Sequence, residues 1–217
     1  MKKYELASAV SFDNCSAFES LLAFYTDAEK AHECTVKLIE KYGSFSTVLS
    51  ENEDELCRVG NINKNTATLI KLVAYLNSRR VTERFETGKE YSELDLRELI
   101  GALFLGSTVE TVYLILFDDK DKLISWEYMG EGTVGKSDVY PRKLLECAVK
   151  KKAKKIVLAH NHPKGNVTPS TDDVMTTGRL FNIFSSVGVR LSAHYIVADG
   201  KVGRIEADML YNPDFKG

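Results

Sequence analysis

The stretch KIVLAHNHPKGNVTPSTDD, residues 155–173, limits the possible folds more than any other part of the chain. Its apolar run Ile156–Ala159 is the length of a buried strand and too short for a helix of its own. It closes on His160 and His162, after which Pro163 and Gly165 stop any regular strand. Pro169-Ser170-Thr171-Asp172-Asp173 then reads as a helix start, with Ser170 as N-cap and Asp173 at the third helical position. Residues i and i+2 of a strand share a face, so His160 and His162 present two imidazoles side by side. A loop of this length can fold the helix start back over the strand end. Two neutral imidazoles and one carboxylate, with a position left for water, are the donors of an open zinc site suited to hydrolysis. The plainer reading is a strand end with two exposed histidines and a capping aspartate, but capping does not call for paired histidines. Asp172 competes with Asp173 for the carboxylate role.

Zinc brings the pKa of bound water towards about 7 and polarises a carbonyl. The reaction also needs a base for the water's proton, and no residue of the 155–173 stretch supplies one. Glu110, in STVETVYL, is the candidate, because a carboxylate heading an apolar strand is out of place for packing alone. The competing reading is a solvated strand-start charge.

The rest of the chain falls into two parts. Through about residue 85 the pattern is helical: FESLLAFYTD, then DAEKAHECTVKLIEKYG ending at Gly43, then a helix opened by a capping box at Ser50-Glu51-Asn52-Glu53, then KNTATLIKLVAYLNSRR. Residues 86–92 read as a linker. From 93 to 217 the pattern is mixed: a helix ELDLRELIGALFLG, two strands TVYLILFDD and DKLISWEYMG, and a helix from YPRKLL. The strand at 155–160, the helix TDDVMTTGRLFNIFSSVG and a hairpin turning at Asp199-Gly200 complete it. Strands and helices alternate without the spacing of a doubly wound fold, so a mixed α/β sheet flanked by helices is expected. His194, alone in an apolar hairpin strand, reads as a packed structural residue, and His32 as a helix-face residue. The lysine run 150–155 reads as a solvated helix end.

Composition narrows function. The formal net charge of -2 gives no overall basic footprint for nucleic acid. No apolar run approaches the roughly 18 residues of a membrane span, and Glu5 and Asp13 interrupt any signal-peptide core, so a cytoplasmic protein is expected. Four cysteines without C-x-x-C pairing read as reduced small hydrophobes.

His160-Asn161-His162-Pro163 followed by Ser170-Thr171-Asp172-Asp173 resembles the H-x-H-P…S-x-x-D signature of the JAB/MPN-type (JAMM-motif) metalloproteases. The form AHNHPKG…PS…D, with GEGTVGKSDVYPRKLLECAVKKKAKKIVLAHNHP and ETVYLILFD, is similar to the branch known as DNA repair protein RadC, over residues 93–206. The resemblance implies a curved sheet flanked by helices, cytidine-deaminase-like in outline. It implies one Zn²⁺ per chain on His160, His162 and Asp173, the S-x-x-D spacing choosing Asp173 over Asp172. Glu110 would hold the water and act as general base, and Ser170 would steady the oxyanion. The implied activity is cleavage of a peptide or isopeptide bond in a substrate protein. This chain departs from the branch's pattern at Tyr140, Lys143, Lys164 and Ala193-His194. Lys164 is expected at the mouth of the site.

CRVGNINKNTATLIKLV resembles a helix-hairpin-helix, so residues 1–85 are expected to form a small all-α domain ahead of the metal domain. Asn61 and Asn63 stand where the hairpin usually has glycines, with Lys64 following. Asparagine tolerates the left-handed backbone, so the turn survives, but a glycine's close approach to a phosphate is lost. Residues 1–90 hold twelve Lys and Arg against fourteen Asp and Glu, a poor electrostatic start for DNA. A DNA-associated accessory protein of repair or recombination, holding DNA at this hairpin, is the alternative function.

Overall fold

The computed structural model describes residues 14–132, 139–163 and 165–205. The chain forms two compact units, Met1–Lys71 and Leu72–Gly217.

The first unit is helical: α1 (Asn14–Leu22), α2 (Ala28–Tyr42), α3 (Phe45–Ser50), α4 (Glu53–Gly60) and the start of α5 (Lys64–Thr82). Asp27 caps α2 by accepting from the Lys30 N–H, and Gly43 ends it at φ 80. The capping box expected at Ser50 does not form. Ser50 is the last residue of α3, and the chain turns extended at Glu51, so Asn52 caps α4 by accepting from the Glu55 N–H. Short α3 has no apolar period long enough to be read from sequence, and its existence moves the cap by two residues.

The second unit continues through α5 to α6 (Glu93–Phe104), β1 (Thr111–Phe117), β2 (Leu123–Glu131), α7 (Val139–Lys150), β3 (Lys155–Asn161), α8 (Thr171–Ser186), β4 (Arg190–Ala198) and β5 (Lys201–Ile205). The strands form one mixed sheet in the order β2-β1-β3-β4-β5. Only the β3–β4 pair is parallel, joined through α8. Asp199 and Gly200, at φ 48 and 69, make the β4–β5 turn anticipated for that pair. The stretch 86–92, expected as a linker, is bound to β2: the Gly88 N–H donates to Leu123 O, and the Leu123 N–H donates to Lys89 O.

Alternation along β3 sorts its side chains onto two faces. Val157 and Ala159 face a cluster with Leu99, Ile100 and Phe104 of α6. Ile156 and Leu158 face a cluster with Leu144 and Ala148 of α7 and Leu180 and Phe184 of α8. Leu180 and Phe184 are wholly buried, each stabilising the fold by about 2–3 kcal/mol. They continue a stripe that begins with buried Asp173, Thr176 and Thr177, so the helical period that docks α8 also turns its first polar turn inward. No helix among the described residues is long and apolar enough to cross a membrane.

Candidate metal centre

His160 occupies the row Val112–His160–Ile196–Gly203 across the sheet. It lies on the face that α8 covers and is wholly buried. A Ser170–Asp173 capping box holds the N-terminus of α8 above it. The Ser170 N–H and Oγ–H donate to Asp173 Oδ2 at 2.8 and 2.6 Å, and the Asp173 N–H donates back to Ser170 Oγ at 3.1 Å. The box fixes the rotamer of Asp173, so its carboxylate meets the imidazoles: Oδ1 lies 3.2 Å from His160 Nε2, and Oδ2 lies 3.5 Å from His162 Nε2. The two Nε2 atoms are 2.9 Å apart. Asp172, the rival carboxylate, is exposed, whereas Asp173 is buried.

The chemistry of this donor set fits a cation. His162 Nδ1 faces Asn166 O at 2.9 Å. A carbonyl only accepts, so the proton of neutral His162 sits on Nδ1 and its Nε2 lone pair points at His160 and Asp173. Tetrahedral zinc donors at about 2.0–2.2 Å from the ion lie about 3.3–3.5 Å from one another. The observed separations are 2.9 Å between the imidazoles and 3.2 and 3.5 Å to the two different oxygens of Asp173, and one ligand atom from each residue lies within 4.8 Å of the others. Among the described residues, His160, His162 and Asp173 are the group of such side chains whose donor atoms converge. Burial pushes the Asp173 carboxyl up, but its contacts with His160 and Ser170 outweigh it and hold the group well below the usual range. The carboxylate is therefore ionised and ready to bind a cation throughout the neutral range.

The loop that carries the chain from β3 to α8 is fixed by close contacts. A Cβ added at Gly165 would stand 3.0 Å from the His162 Cβ, and one at Gly203 would stand 2.9 Å from Val167 O. The His162 N–H donates to Val197 O, extending the β3–β4 pairing to the second histidine.

Glu110 is half-buried and immediately precedes β1, and its carbonyl accepts from the Gly132 N–H. It is not one of the three converging donors. Val112 pairs with His160, so alternation puts Glu110, two residues earlier, on the His160 face at the same end of the sheet. Asn161 holds it there from the opposite face. Its Oδ1 accepts from the Thr111 N–H at 2.7 Å and from Thr111 Oγ1 at 2.9 Å, and its Nδ2 donates to Val109 O at 3.1 Å. One buried amide thus grips the backbone on both sides of Glu110.

Sequence reasoning missed Asn161, which was read only as the spacer between two histidines, and it missed the place of His194. That histidine is packed and wholly buried, as anticipated, but its Nε2 lies 2.8 Å from His160 Nδ1. Its Nδ1 lies 2.6 Å from Thr177 Oγ1, and Thr177 donates to Asp173 O. Burial first, then the neighbouring His160, holds the His194 pKa well below the ordinary value and keeps the ring neutral. A polar residue in the apolar run of β4 was the available signal, but its partner depends on a β3–β4 register that sequence does not give.

Of the other sequence candidates, Lys164 lies outside the described residues. Lys143 donates to Met129 O of β2. In the first unit, Asn61 adopts the left-handed conformation at φ 51, ending α4. Asn63 instead caps α5, its Oδ1 accepting from the Thr66 N–H at 3.0 Å. Exposed Lys64 follows as the first residue of α5.

Comparison with known proteins identifies the family of the fold. The model of the RadC-like JAB domain matches residues 91–206. A UPF0758 protein of Vibrio atlanticus (strain LGP32) is 29% identical over 194 residues, covering 88% of this chain and 87% of that protein. UPF0758 proteins of Aliivibrio fischeri (strain ATCC 700601 / ES114) and Vibrio parahaemolyticus are each 27% identical, covering 82% and 76% of this chain and 80% and 74% of theirs.

Proposed function

The chain belongs to the RadC-like JAB domain family, and from that premise we propose that it is a zinc-dependent metallohydrolase acting on a peptide or isopeptide bond of a protein substrate. The observation that carries the proposal is the meeting of His160 Nε2, His162 Nε2 and the Asp173 carboxylate within 3.5 Å of one another. These three would hold one zinc ion. When bound, zinc lowers the pKa of water and polarises a carbonyl oxygen.

The remaining work falls to side chains. Glu110 takes the proton of the attacking water and passes it to the leaving amine. The clamp from Asn161 keeps its backbone from drifting as it does so. Ser170 steadies the oxyanion, which requires its hydroxyl proton to turn away from Asp173 Oδ2, where it now donates.

Replacement Glu110→Gln removes the base while leaving the three donors untouched. The variant is expected to keep its zinc and to retain a protein partner uncleaved. The wild type should release that partner with a new terminus identifiable by mass spectrometry. A variant that recovers no protein but holds DNA tightly would replace this reading with that of a DNA-associated accessory protein.

A further inference from the structure

Behind the three converging donors runs a second, wholly internal line of polar atoms. His160 Nδ1 lies 2.8 Å from His194 Nε2, and His194 Nδ1 lies 2.6 Å from Thr177 Oγ1. Thr177 Oγ1 in turn reaches Asp173 O, the main-chain carbonyl of another donor residue, at 2.5 Å. His160, His194, Asp173 and Thr177 are all buried, the two histidines to 0% exposure. Water cannot substitute for any link, so each hydrogen bond must be made by the partners named.

We infer that His194 and Thr177 are positioning residues that force His160 to present an unprotonated Nε2 to the metal. The inference rests on the zinc reading above and extends it to residues that touch no metal. The direction of each bond follows from counting protons. A metal on Nε2 of neutral His160 leaves the ring's only proton on Nδ1, which must donate. His194 Nε2 must then accept, so the proton of neutral His194 is on Nδ1 and donates to Thr177 Oγ1. The Thr177 hydroxyl proton goes to Asp173 O, which can only accept. Every donor and acceptor in the line is used once. The line ends on the α8 turn that supplies Asp173, so the orientation of one donor is tied to the placement of another.

Thr177 is the informative position, because it is remote from the metal and has an isosteric replacement. In Thr177→Val, His194 Nδ1–H loses its acceptor, and the ring is better satisfied as the other tautomer. His194 then donates from Nε2, His160 Nδ1 must accept, and the His160 proton moves to Nε2, where it opposes the metal. His194→Phe leaves His160 Nδ1–H with no acceptor at all.

The test is zinc affinity, measured on the full chain by competition with a chromophoric chelator, alongside thermal unfolding of the metal-free proteins. Thr177→Val and His194→Phe are expected to bind zinc about 10–100-fold more weakly than wild type. Thr177→Ser should restore affinity to within about twofold. ¹⁵N spectra of the zinc-loaded wild type should show the proton of His194 on Nδ1. Wild-type affinity in Thr177→Val and His194→Phe, or a His194 proton on Nε2 in the loaded protein, would overturn the inference while leaving the zinc site standing. A wild type that binds no zinc would overturn both. If His194→Phe does not fold, the Thr177 pair decides the matter, since Val and Ser differ from Thr by one group each.

Discussion

Removing the Asn161 amide should cost stability and free the segment around Glu110. In Asn161→Ala the Thr111 N–H and hydroxyl both lose their acceptor, in a position where Asn161 is 4% and Thr111 7% exposed. Val109 O loses its donor as well, but Val109 is 45% exposed and water can reach that carbonyl. The orphaned amide N–H costs about 1–3 kcal/mol. The hydroxyl can turn towards another acceptor and adds less, and the lost side-chain volume adds a small packing term. The total is about 2–4 kcal/mol, which lowers the Tm of a domain of this size by roughly 5–15 °C. Urea unfolding gives the energy, and amide hydrogen exchange gives the place: the Thr111 N–H should be protected in wild type and exchange much faster in the variant. Asn161→Asp separates the two halves of the clamp. Its carboxylate can still accept from Thr111 but carries no N–H for Val109 O, so the Thr111 amide should stay protected from exchange while the Val109 side of the clamp is released. Wild-type stability in Asn161→Ala, with the Thr111 amide still protected, would refute the clamp.

Other contacts make equally direct predictions. Gly203→Ala puts a Cβ against Val167 and should cost about 1–3 kcal/mol while loosening the loop before Ser170, seen as a lower Tm together with weaker zinc uptake. Asn61 at φ 51 should tolerate Gly with little change, whereas Asn61→Val should lose at least 1–2 kcal/mol in urea unfolding. Burial pushes the Cys34 thiol up to about 11, leaving roughly a thousandth of it as thiolate at pH 8. An aromatic disulfide reagent at that pH should therefore label exposed Cys15 in the folded protein and Cys34 only after unfolding.

Much of the candidate metal centre could be read from the sequence because its parts are local. The two-residue period of β3 and the cap spacing Ser170-x-x-Asp173 fix which side chains share a face, whatever surrounds them. The same holds for the β4–β5 turn, where Asp199-Gly200 carries its own backbone preference. What could not be read depends on pairings between distant segments. Asn161 acts through its partners Thr111 and Val109, fifty and fifty-two positions away. His194 acts through the β3–β4 register, and a histidine inside an apolar strand looks the same with or without His160 beside it. The Ser50 cap failed for a related reason, since six-residue α3 is held by burial of Val48 and Leu49 and not by a period of its own. Asn63, set down as a glycine substitute, instead spends its side chain on capping α5.

The central claim is that His160, His162 and Asp173 hold one metal ion. Metal analysis of the purified full chain, after dialysis against zinc and removal of excess, tests it directly. About one zinc per chain is predicted for wild type, falling to near zero in His160→Ala and in Asp173→Asn. Wild-type protein without zinc, or His160→Ala with an undiminished zinc content, would contradict the account.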